Sequence, residues 1–229
     1  MSLYERLCNR LILTVSRWLR HHGAVRPGTA RGDEFGHLGE GTWISHPLGT
    51  QYGLGSVFIG RDCLIGQYSV LAVGYGPEDH NRPARGLEIG DRCVIGARSI
   101  LTAHSSITIG DDVWFGQNVF VSDASHGYQD PETPIGDQLG DHQPVSIGAG
   151  SWIGHGAVVL PGSRIGRQVV IGAGSVVRGV IPDHSVAAGV PAKVVRRLEP
   201  EVGWVATSGS GDVKPAWTAE DVAARMSGG

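Results

Sequence analysis

The stretch at residues 145–177, VSIGAGSWIGHGAVVLPGSRIGRQVVIGAGSVV, puts an aliphatic side chain at every sixth position: Ile147, Ile153, Val159, Ile165, Ile171 and Val177. Two residues before each stands a small or apolar side chain, Val145, Ser151, Ala157, Ser163, Val169 and Ser175. A separation of two places both on one face of a short extended segment. Each hexapeptide therefore reads as a strand with one large and one small inward residue, followed by a turn. A period of six excludes an α-helical bundle, whose apolar spacing follows 3.6 residues per turn.

The same grid runs through Ile59, Ile65 and Leu71, then Ile89, Ile95 and Leu101, then Ile109, Phe115 and Val121. Nine of the grid positions from Ile59 to Ile171 are an aliphatic residue followed directly by glycine. Three residues after the aliphatic position stand Asp62, Asp112, Asn118, Gly150, Gly156, Gly162 and Gly174, residue types that tolerate positive φ at a tight bend. No hexapeptide buries its own apolar stripe, so the units must coil and stack into an all-β parallel β-helix. Fifteen units at three per triangular coil make five coils, a prism about 24 Å long at roughly 4.8 Å per stacked strand. A β-sandwich also contains many short strands, but with irregular spacing.

The chain has 229 residues, 36 of them glycine, which is the signature of the repeat. Its formal net charge is −3 and no Lys/Arg run lies on the repeat, so a nucleic-acid surface is not indicated. Cys63 and Cys93 stand at inward grid positions and read as packed thiols of a reducing, cytoplasmic compartment. Residues 1–25 form an amphipathic, basic helix, with Leu3, Leu7, Leu11, Val15 and Trp18 on its stripe and Arg6, Arg10, Arg17 and Arg20 off it. Two readings stand for residues 3–20: a cap over the open end of the solenoid, or a peripheral contact with a membrane surface. Residues 26–56 read as an irregular lead-in and residues 57–198 as the repeat domain. In the tail at 199–229, Thr218 and Asp221 suggest a capped short helix.

The grid lapses twice, over loops at 73–86 and 122–144. Insertions in a solenoid leave as loops, where chemistry collects on a rigid scaffold. The second loop, SDASHGYQDPETPIGDQLGDHQP, contains His126 just past the inward Val121, with Asp123 and Tyr128 close by. These segments, together with AAGVPAKVVRRL at 187–198, resemble the hexapeptide-repeat O-acetyltransferases, near the maltose and galactoside enzymes and their polysaccharide-modifying relatives. The resemblance implies a left-handed β-helix, an exception to the right-handed crossover rule, assembled as a homotrimer with acetyl-CoA in the groove between two prisms. It implies that His126 is the catalytic histidine. It puts Trp152, His155 and Ala173 along the pantetheine and thioester end, and Arg178, Lys193 and Arg196 near the CoA phosphates and adenine. His104 stands where the sugar acetyltransferases have an acidic acceptor contact, so His104, Asp123 and Tyr128 are the acceptor-side candidates.

The chemistry fits these residue types. A hydroxyl attacking a thioester must lose its proton as the C–O bond forms, and imidazole, with a reference pKa of about 6.5, accepts it at neutral pH. Asp123 is a candidate to orient that ring. The thioester oxyanion needs donors, which backbone N–H groups or the Trp152 indole N–H supply. His104, His142 and His155 raise a metal reading, since some hexapeptide proteins are zinc-bearing carbonic anhydrases. That reading needs two histidines five residues apart on the repeat, a pair this chain lacks, so no metal is expected. An antibiotic acetyltransferase and a non-catalytic β-helix scaffold are the alternatives. The scaffold needs neither a base nor phosphate-binding cations.

Overall fold

Every inward pair on the six-residue grid is buried, from Val57 and Ile59 to Ser175 and Val177. Stacking such pairs requires each strand to lie in register on the strand one coil away. The computed structural model, which describes residues 2–209 and 211–227, has this arrangement. One inward column runs Ile59, Ile89, Ile109, Ile147, Ile165 and Ile181 through successive parallel pairings. Each fully buried aliphatic side chain of this kind contributes on the order of 2 kcal/mol. The chain visits three sheets in fixed order, and the result is an all-β, left-handed parallel β-helix.

The first sheet includes Val57–Ile59, Leu87–Ile89, Ile107–Ile109 and Val145–Ile147. The second includes Leu64–Ile65, Val94–Ile95, Trp114–Phe115 and Trp152–Ile153, and the third Val70–Val73, Ile100–Ala103, Phe120–Ser122 and Val158–Val159. The bends take positive φ at Asp62, Asp112, Asn118 and the expected glycines, and also at Tyr68, Arg92, Arg98 and Gln168. A left-handed conformation costs such side chains about 1 kcal/mol each. Ladder bonds between coils hold it, such as the Arg92 N–H donating to the Arg61 carbonyl at 2.8 Å.

The coils begin before residue 57. His37–Leu38, Trp43–Ile44 and Gln51–Tyr52 form a complete coil paired in parallel with the next. Leu38 and Ile44 keep the six-residue spacing, but Gln51 falls one residue late and is not aliphatic, which is why the grid is hidden there. The first sheet thus stacks seven strands, not five, over about 34 Å at the same spacing. At the other end, Ala192–Glu199 turns back antiparallel on Ser185–Gly189, and Gly203–Ala206 and Val213–Lys214 extend the same sheet. Residues 192–199 alternate in burial with a period of two, so they leave the coil while remaining in the sheet. Helix α2 (Ala219–Ser227) follows, with the Asp221 N–H donating to Thr218 Oγ1 at 3.2 Å.

Helix α1 (Leu3–His22) starts with a capping box between Ser2 and Glu5 and buries none of its residues. The end of the core is instead closed by Val25, Phe35 and Leu54, all in the buried cluster. The helix is therefore not a packed lid on the solenoid within this chain.

Candidate active site

Both insertions emerge at the same corner, where the chain passes from the third sheet to the first. The 73–86 loop leaves after Val70–Val73 and the 122–144 loop after Phe120–Ser122, with the short turn at residues 104–106 between them in the stack. Asp123 ties the corner together. Its side chain is fully buried, and the carboxylate accepts backbone N–H groups of His104 at 2.8 Å, Ser105 at 2.7 Å and Ser106 at 2.6 Å. Its own carbonyl accepts the Gln143 N–H at 2.7 Å, which closes the base of the long loop.

Within the loop the chain folds back on itself. The Gly127 N–H donates to the Gln138 carbonyl at 2.9 Å and the Gly140 N–H to the Ser125 carbonyl at 3.1 Å, with His126 bridged to Leu139 between them. A Cβ at Gly140 would lie 2.3 Å from the Ser125 carbonyl oxygen, so glycine permits this approach. The fold-back carries His126 to the lip of a cleft of about 210 Å³, lined also by Tyr75, His104, Ser122, Ser125 and His142. The Tyr75 hydroxyl and His142 Nε2 are 2.7 Å apart, His142 stacks on His104 with centroids 5.4 Å apart, and Tyr75 meets His104 edge-on at 4.7 Å. Among the described residues no carboxylate or guanidinium lines the cleft.

His104 has 17% side-chain exposure, and its buried Nδ1 lies 3.7 Å from the Asp123 carboxylate without a hydrogen bond. Burial holds this imidazole below its ordinary value, against the opposing pull of Asp123. The expected contact between Asp123 and the His126 ring is absent, because three backbone amides of the coil below take up the carboxylate. Fully buried, Asp123 is also no acceptor contact. Among the described residues no side-chain hydrogen bond orients the His126 ring, and no group of three or more His, Cys, Asp or Glu is placed to hold a metal ion. Tyr128 is 77% exposed and outside the cleft.

The donor-side candidates lie elsewhere. Trp152 projects outward from the second sheet, next to Trp114 in the coil before. His155 and Ala173 are exposed on the turns between the second and third sheets, stacked one coil apart through the Gly174 N–H to the His155 carbonyl at 2.8 Å. Arg178 is exposed on the His126 corner, farther along the prism. Lys193 is exposed on the antiparallel strand. Arg196 departs from the expectation of a phosphate cation. Its guanidinium binds the Asp212 carboxylate and donates to the Asp212 carbonyl at 3.2 Å and the Trp204 carbonyl at 3.3 Å, because alternation along the strand turns it into the hairpin.

Sequence reasoning passed over Tyr75 and weighed His142 only as a metal ligand. A signal was present. Both insertions follow the third strand of a coil, so a three-sided winding must bring them out on one edge, two coils apart.

Residues 144–179 match the family described as "Bacterial transferase hexapeptide (six repeats)", and residues 86–123 match "Hexapeptide repeat of succinyl-transferase". A probable acetyltransferase of Mycobacterium tuberculosis is 37% identical over 162 residues, 67% of this chain and 53% of that protein. The galactoside O-acetyltransferase of Escherichia coli is 30% identical over 164 residues, 72% and 64% of the two chains. A putative lipopolysaccharide biosynthesis O-acetyl transferase of Escherichia coli is 41% identical over 103 residues, 42% and 53% of the two. The chain spans about half the length of the first curated relatives it matches. Among solved structures, a point mutant of the N-acyltransferase AntD of Bacillus cereus, in complex with dTDP and coenzyme A, superposes with a TM-score of 0.64 over 78% of this chain and 92% of that one. At 19% identity this likeness is one of fold. The chain carries the transferase hexapeptide repeat on both sides of the long loop and is similar to curated acetyltransferases.

Proposed function

We propose that the chain is a CoA-dependent O-acetyltransferase that transfers acetyl from acetyl-CoA to a hydroxyl of a sugar or glycan, with His126 as general base. The observation that carries this reading is His126 at the lip of a corner cleft lined by imidazole, phenol and hydroxyl groups without a formal charge of fixed sign. Such a lining suits a neutral, hydroxyl-rich acceptor. The acceptor O–H gives its proton to the His126 imidazole as its oxygen attacks the thioester carbon. As the C–S bond breaks, the imidazolium returns that proton to the CoA sulfur, leaving an ester and free CoA thiol. Positioned proton transfer of this kind is worth about 10²–10⁴ in rate.

The donor side is assigned to Trp152, His155, Ala173, Arg178 and Lys193. Trp152, His155 and Ala173 lie on the far side of the third sheet from His126, so the two halves of the site come together when the His126 corner of one chain meets the second sheet of the next, in a homotrimer. The outward column of that sheet supports this, running Trp43, Leu64, Val94, Trp114, Trp152 and Val170 in register. Leu64, Trp114 and Trp152 in it are 47%, 59% and 53% exposed in the single chain. The free, buried thiols of Cys63 and Cys93 accord with a cytoplasmic location.

The reading is tested with acetyl-CoA and p-nitrophenyl galactoside or glycan oligomers, following release of free thiol. Acetyl transfer that is lost in His126→Ala with CoA binding retained supports it. Absence of transfer to any hydroxyl acceptor defeats it. For the shared site, mixing His126→Ala chains with Trp152→Ala chains restores part of the activity in verified mixed trimers. A monomer in light scattering under active conditions removes that arrangement.

A further inference from the structure

Helix α1 is twenty residues long, and neither the fold nor the cleft uses it. At about 100° of rotation per residue, Leu3, Tyr4, Leu7, Leu11, Val15 and Trp18 fall within one third of its circumference. Arg6, Arg10, Arg17 and Arg20 fall within another, where Leu13 is the one large apolar intruder. The apolar side is bare: Leu3 is 76% exposed, Leu11 66% and Trp18 59%. The helix meets the prism at its C-terminal end, where the His21 and Trp43 ring centroids are 5.7 Å apart. Farther out, a cleft of about 630 Å³ is lined by Leu11, Ile12, Val15 and Leu19 on one side and Pro47 and Tyr68 on the other.

Charge decides what covers this face. The helix carries four arginines and one acidic residue, Glu5, whose carboxylate accepts the Ser2 N–H at 2.6 Å in the capping box. None of the four arginines has a carboxylate partner among the described residues. The whole chain carries a net charge of −3 while the helix, with four arginines and one glutamate, is net positive, so a basic element stands on an otherwise acidic molecule. No helix among the described residues is long and apolar enough to cross a membrane. A helix with one apolar side bearing tryptophan and tyrosine, a basic side and low overall hydropathy lies in the plane of a lipid interface. There the arginines reach anionic headgroups while the aromatic rings sit at the boundary.

We infer that helix α1 is a peripheral membrane-binding element that docks the protein on an anionic lipid surface through Leu3, Leu7, Leu11 and Trp18, with Arg6, Arg10, Arg17 and Arg20 meeting the headgroups. Nothing in this depends on the transfer reaction, so it stands or falls separately from the catalytic reading.

The test is co-sedimentation of the full chain with vesicles of phosphatidylcholine alone and of phosphatidylcholine mixed with phosphatidylglycerol. The expected result is binding to the mixed vesicles that weakens as salt is raised. Leu7→Ser/Leu11→Ser lowers that partitioning by about tenfold or more, and Arg10→Glu/Arg17→Glu removes the preference for anionic lipid. Both variants keep the parent melting temperature, because the helix buries no side chain. Failure of the parent chain to bind mixed vesicles, or equal binding by the Leu7→Ser/Leu11→Ser variant, overturns the inference. A smaller assembly for that variant in light scattering also overturns it, since the face would then belong to a second copy of the chain.

Discussion

The coils at 145–177 and the loop at 122–144 adjoin in sequence and are held by opposite means. In the coils, each inward residue repeats the task of its neighbours above and below, and the register Phe115, Ile153, Ile171 shows one position served by three side chains of the same character. In the loop, single residues have tasks no other performs. Asp123 satisfies three backbone amides, Gly140 lets the chain pass Ser125, and the Gln138 side chain gathers the Asp130 and Thr133 carbonyls at 2.8 Å each. Periodic apolar burial gives a scaffold tolerant of local change. Polar attachment at a few points gives a precise and fragile shape, which is what a catalytic group requires.

Substitutions in the two regions separate stability from function. The largest effect is expected for His126→Ala, at least about a hundredfold in kcat with an unchanged melting curve. A variant that keeps most of its kcat moves the base elsewhere. In the coils, Ile153→Ala loses about 3 kcal/mol of stability through the cavity it leaves, with acceptor KM unaltered where the protein remains folded. Chemical denaturation together with kinetics checks both halves.

Asp123→Asn replaces an acceptor by a group that also presents donors to buried amides, and is expected to cost about 2 kcal/mol. Here activity falls more than stability, because the loop base loosens while the coils remain. An activity loss no greater than that of Ile153→Ala would erase the distinction between the two regions. Tyr75→Phe removes the hydroxyl facing His142 and keeps the ring beside His104. A loss of about 1 kcal/mol is expected, roughly fivefold in acceptor KM, with CoA affinity unchanged by calorimetry.

The smallest effect concerns pH. Burial depresses the His104 imidazole below 6.5, so the unfolded chain takes up its proton first as pH falls. The stability this residue contributes is complete above that unfolded value and declines as pH drops through it toward the folded one. Melting temperature measured across this window falls for the parent chain and less for His104→Gln. Identical slopes would remove His104 as a buried neutral group.

Much of this was legible in advance. The β-helix, its inward residues and both loop positions follow from the grid because a period of six leaves a chain few ways to bury its apolar stripe. The first coil was hidden because Gln51 breaks both spacing and polarity, and the C-terminal hairpin because its period of two begins without a break in composition. His126 was visible as a loop histidine next to an anchored strand end. Its neighbours were not, since Tyr75 and His142 are separated by more than sixty residues and meet through winding alone.

Local periodicity thus determined the scaffold of this protein: which residues face inward, where the chain bends and where it must leave the coil. Only the tertiary structure decided that Asp123 holds backbone rather than the His126 ring, that Arg196 turns into a hairpin, and that three segments converge on one cleft. Burial repeats along a chain and so writes a pattern into it. A hydrogen-bonding partner is chosen by proximity in space, and sequence spacing carries no record of which of several nearby groups takes it.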